Sequence, residues 1–557
     1  MAGARVLNWG NPTPLTDAVT GPSGRFQLDG FSRERAWLFV DAPGYRFHRA
    51  SPDPGRSTTE LTIRRADQPP ERGVASLGPP IPRDRALRLA ATILEPYAGR
   101  IIRIGTDADA RARALEVAAQ IDPAGAWRKC QAGEAPWDSN PVRIVAVRHF
   151  ITTSPTDAES ILPAITNEFW RQSLRIELAD ALPAEARDHK IRLLNDVIED
   201  AREQADKGPR VDHLKEAISR LIDLDRREDA QRLLNEVLPL AKKADAGDPR
   251  MGQTRALIGS LARLDVKAAL ALIPTQGDER TINDLRGLVA QSIAVQHPAE
   301  AEQLLSKATW NSSETYPVKA CRRMARVDLS RARRIAGRLK IDVLRGYALG
   351  AMAEETSGAN RATARDLRAE SFQAFGRAME QGMGGVWGAP SASVMAAALL
   401  PGIERTDPDR LAEAVDRVLS LCWSPRSVHD LTTTIPDTSG VDGMRTNAAL
   451  AAALARYDHD LARSIAGPIV ERLKAPLSPV ENQYVDRYAV LPPLALADPE
   501  ATAALVEVIP DLKEEGIGQS RDIARLIVAG ALSEPESRFW TIIRRAVFDL
   551  EIADRED

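Results

Sequence analysis

The hydrophobic pattern changes period once along the chain. Up to about residue 66, apolar and polar positions alternate in short runs punctuated by Gly and Pro, which is the grammar of strands and turns. In the run from Gly24 to Gly30, Phe26 and Leu28 fall on one face of the predicted strand and Arg25 and Gln27 on the other. Trp37 to Val40 is uninterrupted and predicts a more fully buried strand. Ala42 to Tyr45 turns the chain, and Glu60 to Arg64 predicts a last alternating strand. Residues 67–82 are rich in proline, which excludes a helix interior or a central strand and predicts a semi-stiff linker. From Arg83 onward apolar residues recur at helical spacing.

The helical part carries a recurring motif: Ala, two residues, Asp, often Pro, then Ala four or five residues after the Asp. Its copies are Ala119/Asp122/Ala126, Ala262/Asp265/Ala269, Ala325/Asp328/Ala332, Ala455/Asp458/Ala462 and Ala495/Asp498/Ala503. Ala294/His297/Ala301 places His at the Asp position, and Asp225 and Asp407 sit in looser copies. The spacing predicts two helices joined by a tight turn. The Asp side chain accepts from the free N–H groups of the second helix, and Pro123, Pro298, Pro408 and Pro499 occupy its first position, where no N–H is needed. The alanines let the two helices approach closely. Motif positions 225, 265, 297 and 328 are 40, 32 and 31 residues apart, spacings typical of helical-pair solenoids. Gly382 to Pro390 and Asp430 to Gly443 read as loops, which divides the array into residues 83–390 and 391–557.

Thr20, Gly24, Phe26, Leu28 and Gly30, then Trp37 to Val40, then Ala42, Gly44 and Tyr45 together resemble the carboxypeptidase regulatory-like domain, a transthyretin-like β-sandwich. The resemblance implies a non-catalytic accessory module over residues 1–66. It departs from the family at the front, where Ala4 to Leu7 stands in place of an opening Gly-x-Val strand with its own turn. The sandwich is therefore expected to be truncated, with an open edge and more chain upstream in the parent protein. The helical part is similar to the degenerate TPR- or HEAT-like α-solenoid repeats of large bacterial multidomain proteins, without the Trp-Leu-Gly-Tyr pattern of a regular TPR. The expected fold is thus mainly α: a helical-repeat α-solenoid preceded by a small, truncated β-sandwich.

Composition adds limits rather than a function. Across 557 residues, 44% are apolar and 27% charged, an ordinary balance for a folded chain, and aromatics are only 5%. Ala, Leu, Ile and Val must therefore fill most of the core. The formal charge of -4 gives no global attraction to nucleic acid or anionic membranes. Of the 74 basic residues, 62 are Arg and 12 Lys, a skew attributed at this level to a GC-rich genome. Cys130, Cys321 and Cys422 lie too far apart in sequence for a disulfide framework or zinc knuckle. The longest apolar run, Val394 to Leu400, is too short to span a bilayer, so no membrane insertion is expected. The first residues lack an apolar signal core, and a cytoplasmic location is expected, provisional on an upstream segment.

No nucleophile elbow, phosphate loop or dinucleotide fingerprint occurs, and neither an enzyme activity nor a cofactor nor a metal is predicted. Gly382 to Gly388 lacks the Lys and the preceding strand of a phosphate cradle. His213 and Glu216 have the His-x-x-Glu spacing of zinc carboxypeptidases, but the motif has no third ligand at a plausible distance, and two residues three apart on a helix is a common accident. The one outstanding segment is Cys321 to Lys340, with eight basic residues and one acid. There Ala332, Ile335, Ala336 and Leu339 form an apolar stripe flanked by arginines. Its plain reading is a solvated face. Its sharper reading is a docking patch made of Arg322, Arg323, Arg326, Arg331, Arg334 and Arg338 for an acidic protein segment. The leading expectation is a non-catalytic protein–protein interaction or scaffolding protein, with nucleic acid disfavoured as partner. Two alternatives remain: an enzyme whose site is assembled from distant residues, and a polyanion or nucleic-acid binder using the Arg322 to Lys340 patch.

Overall fold

The computed structural model describes residues 5–9, 17–20, 37–41, 48–50, 77–104, 108–203, 211–246, 251–307, 315–381, 392–422, 439–474, 487–509 and 521–534. Within these residues the protein is mainly α, with many short helices joined in series, an arrangement compatible with an α-solenoid.

Four short strands stand at the front: β1 Arg5–Trp9, β2 Asp17–Val19, β3 Trp37–Asp41 and β4 His48–Ala50. They form one antiparallel sheet in the order β2-β1-β3-β4, with Val6 opposite Ala18 on one side and Val40 on the other. The expected sandwich is not shown, because among the described residues there is no second sheet to face the first. Arg5 to Leu7 of β1 are paired on both sides, and the outer strands of the described sheet are β2 and β4. The predicted strands at Gly24 to Gly30 and Glu60 to Arg64, and the turn at Ala42 to Tyr45, lie outside the described residues.

The chain divides into two compact units: residues 98–340, and residues 1–97 together with 341–557. The loop read at Gly382 to Pro390 lies outside the described residues, within the second of these. Helix α1, Arg83–Ile104, spans the first division.

In the unit 98–340, helices come in pairs. The first members are α2 (Ala108–Ile121), α4 (Asn140–Thr153), α6 (Glu168–Ala181), α8 (Val211–Asp223), α10 (Gly252–Leu264), α12 (Glu279–Ile293) and α14 (Thr315–Ala325). Their partners are α3 (Pro123–Gln131), α5 (Pro155–Ile161), α7 (Arg187–Glu203), α9 (Arg227–Ala244), α11 (Val266–Ala271), α13 (Pro298–Ser306) and α15 (Leu329–Arg338). Each first helix packs on its partner and also on the next first helix, so the row α2-α4-α6-α8-α10-α12-α14 is continuous. This nearest-neighbour packing lets a long chain fold without one large core.

The turn motif works as its chemistry requires. Asp122, Asp265, Asp328, Asp458 and Asp498 each accept a hydrogen bond from the N–H three residues on, at 2.9 to 3.2 Å. The flanking alanines at 119, 126, 262, 269, 325, 332, 455 and 462 are buried where the helices touch. Two looser copies behave differently. Asp225 adopts a left-handed backbone (φ 57°) just before α9 and makes no cap. Asp407 is turned inward to arginines instead, as described below. His297 stands at the cap position of α13 without a side-chain cap bond. Asp278, outside the motif, caps α12 through Thr281 N–H at 2.9 Å.

The other unit continues with α16 (Asp342–Thr356), α17 (Arg361–Gln381), α18 (Ala392–Ala397), α19 (Leu400–Thr406) and α20 (Leu411–Cys422). Helices Ser439–Ala455, His459–Lys474, Arg487–Ala497, Pro499–Val508 and Arg521–Ser533 follow. Residues 439–443, read from sequence as part of a loop, are helical. Two glycines there, at 440 and 443, mimic a breaker but are tolerated because the helix is buried from Ala448 to Ala455.

Candidate functional site

Ionisable side chains in the array converge mainly on one another, between successive helical pairs. Arg220 of α8 holds Asp180 of α6 through two bonds of 3.1 and 2.7 Å, and Arg263 of α10 holds Asp223 of α8; both pairs are 40 residues apart. At the start of the partner helices the geometry repeats again. Arg187 donates to the Leu224 carbonyl and Arg227 to the Arg263 carbonyl at 2.7 Å, separations of 37 and 36 residues. Each of these arginines covers a carbonyl that the end of a helix leaves unpaired. Arg148 and Glu177 tie α4 to α6, and Arg202 and Glu236 tie α7 to α9, each by two bonds. The planar five-donor guanidinium suits this two-point contact in a way an ammonium does not, which gives part of the arginine excess a structural use.

The basic segment fits the same scheme. Ala332, Ile335, Ala336 and Leu339 are buried as the stripe predicts. Arg331 Nη1 and Arg334 Nε and Nη2 all donate to the Glu302 carboxylate on α13, at 2.8, 2.9 and 2.9 Å. Arg331 also pairs with Asp328 at 2.8 Å. The Glu302 side chain is 12% exposed. Hydrogen bonding from Arg334, aided by Arg331 and opposed by burial, holds its carboxyl far below the ordinary 4.5, at about 2. The six candidate arginines differ in exposure and in partners. Arg322 and Arg323 are half-buried on α14, where Arg323 donates to the Gln291 carbonyl at 3.3 Å. Arg326 is exposed in the turn, and Arg338 is exposed at the end of α15.

Three other clusters stand out among the described residues. Asp407, 4% exposed, receives Arg365 at 2.9 and 3.1 Å and Arg368 at 2.9 Å, tying α17 to the turn after α19. The Arg365 bond holds its carboxyl below the ordinary range. Asp342 accepts from Arg345 and Arg377, each at 3.1 Å. His213 is buried, with Nε2 3.0 Å from Ser173 Oγ and its ring against Phe169 at 4.8 Å. That placement uses the ring in packing between α6 and α8. Among the described residues no group of three His, Cys, Asp or Glu side chains stands close enough to hold a metal ion. Phe169 and Trp170, at the start of α6, are exposed, and the Arg148 guanidinium lies 5.3 Å from the Trp170 ring. Cys321 is buried beneath α15, and burial pushes its thiol well above the ordinary value. No described helix is long and apolar enough to cross a membrane.

Sequence reasoning found the capping carboxylates because their partners are three residues away. It missed Asp407 and Glu302 because their arginines come from other helices, and Asp342 because one of its two, Arg377, does. The repeat spacing itself was the available signal, since a basic residue on one helix and an acid on the next are brought together by that register. Compared with known proteins, the chain matches no protein-family model, no characterised protein and no solved structure.

Proposed function

We propose that the chain is a non-catalytic interaction or scaffolding protein whose helical array presents an extended surface to a protein partner, with the N-terminal strands as an accessory module of carboxypeptidase regulatory-like type. The observation that carries this reading is the repeated tie between successive pairs, Arg220 to Asp180 and Arg263 to Asp223. Such ties fix the register of the row and leave the outer faces of the partner helices exposed, as at Glu228, Arg232, Asn235 and Glu236 of α9. An ordered row of exposed helix faces is the surface by which helical-repeat proteins bind. The proposed partner contact includes the exposed Arg338 and an acidic segment. Arg331 and Arg334 are already committed to Glu302, so replacing them would disturb the fold as well as any docking. The test is covalent cross-linking of the full chain in its source cells followed by mass spectrometry. A stoichiometric protein cross-linked to the array, and lost on Arg338→Glu, supports both parts of the proposal. Retention in Arg338→Glu removes the acidic-segment part, and recovery of nucleic acid instead of protein would overturn the partner class.

A further inference from the structure

The segment just before and within the start of α1 is tied to places more than 370 residues further along the chain, all inside the unit formed by residues 1–97 and 341–557. Leu77 N–H donates to the Arg456 carbonyl at 2.6 Å. His459 Nε2–H donates to the Gly78 carbonyl at 3.3 Å, and Gly78 adopts a left-handed backbone (φ 74°) that lets the chain turn there. Arg83 Nη1 donates to the Leu532 and Glu534 carbonyls at 2.9 and 2.7 Å, and its Nη2 to the Ser533 carbonyl. Arg85 pairs with Glu500. Ile81, Ala86, Ala90, Ile93 and Leu94 are buried, so the segment also contributes to the apolar interior.

The Arg83 contacts have a specific meaning. The last carbonyls of a helix have no partner within it, and the helix dipole places partial negative charge there. One guanidinium satisfies three consecutive carbonyls at the end of helix Arg521–Ser533, so the cap for that helix comes from the other side of the sequence.

We propose that Leu77–Arg85 is a strap: it closes the C-terminal end of helix Arg521–Ser533 and the turn at Arg456–His459, so that displacing it opens those two places and leaves residues 98–340 unchanged.

The experiment is hydrogen–deuterium exchange on the full chain, comparing wild type, Arg83→Ala, Arg83→Lys and Arg88→Ala. Among the described residues Arg88 pairs with Asp84 one turn away, on the exposed face, and serves as control. Three charge-assisted bonds are removed in Arg83→Ala, and amides of 521–533 should exchange roughly tenfold faster or more, with a smaller rise at 456–462. Arg83→Lys keeps the charge but not the fork, and should show an intermediate increase at the same amides even if Arg83→Ala is poorly folded. Unchanged exchange at 521–533 in both Arg83 variants overturns the strap. So does an increase that extends equally over 98–340, because it would make the segment a general stabiliser.

Discussion

Glu302 offers the sharpest test of the electrostatic ties, because its effect has a sign that depends on pH. Its carboxylate accepts three bonds from Arg331 and Arg334 and is held at about 2 rather than 4.5. A carboxyl depressed in the folded state stabilises the fold above its unfolded value, and that contribution is lost as pH falls toward the folded one. By linkage the difference corresponds to at most ~3 kcal/mol. Arg334 is 51% exposed, so solvent screens the stronger of the two partners. An expected cost of about 1.5 kcal/mol for Glu302→Gln at neutral pH follows from that discount. The assay is urea unfolding of wild type and variant, read by circular dichroism at neutral pH and again near pH 3. Linkage places less than half of the stabilisation at the lower pH, so the gap between the two proteins should shrink accordingly. An equal gap at both pH values would show that shape rather than charge is responsible. No gap at neutral pH would refute the tie altogether.

The remaining predictions concern burial, space and capping. Asp407→Asn should cost about 3–5 kcal/mol, because Arg368 is left buried without its carboxylate; a loss no larger than that of a surface cap, measured by thermal unfolding, would contradict this. Gly287→Ala would set a new Cβ 2.6 Å from Tyr316 Cβ, and should lower the melting temperature despite the roughly 1 kcal/mol that Ala ordinarily gains over Gly in a helix. A rise in melting temperature would mean that α12 and α14 pack less closely than described. Asp458→Ala should cost about 1 kcal/mol through loss of its bond to Leu461 N–H, and unchanged stability would mean the turn is held by other contacts.

What the sequence revealed and concealed divides by distance along the chain. A cap such as Asp328 or Asp458 is legible because its acceptor, its donor and its proline or alanine neighbours occur within a few residues. The stripe Ala332, Ile335, Ala336 and Leu339 is legible for the same reason: one helical period decides it. Asp407 satisfied the same local pattern as the caps, yet its role is set by Arg365 and Arg368, which lie about one repeat upstream. The basic run Cys321 to Lys340 looked like unspent charge because Glu302, which neutralises part of it, sits on the preceding pair. The helical array could therefore be read from its turns, but the ties that align its members could not. At the front, the strand at Trp37 was signalled by its apolar run, whereas His48–Ala50, with two basic side chains and no alternation long enough to detect, was not.

The strap also sets an order of events during synthesis. Arg83 leaves the ribosome 449 residues before the Leu532 carbonyl it will cover. At ordinary rates of elongation that is an interval of roughly 20 to 90 seconds. Residues 98–340 are complete, and can form their own row of paired helices, well within it. The unit that contains the strap cannot close until nearly the whole chain has emerged. Until then Arg83 and Leu77 stand without the carbonyls they will bind, and helix Arg521–Ser533 without its cap. Nascent chains stalled before residue 521 should therefore leave Leu77–Arg85 open to proteolysis, and chains released after residue 534 should protect it.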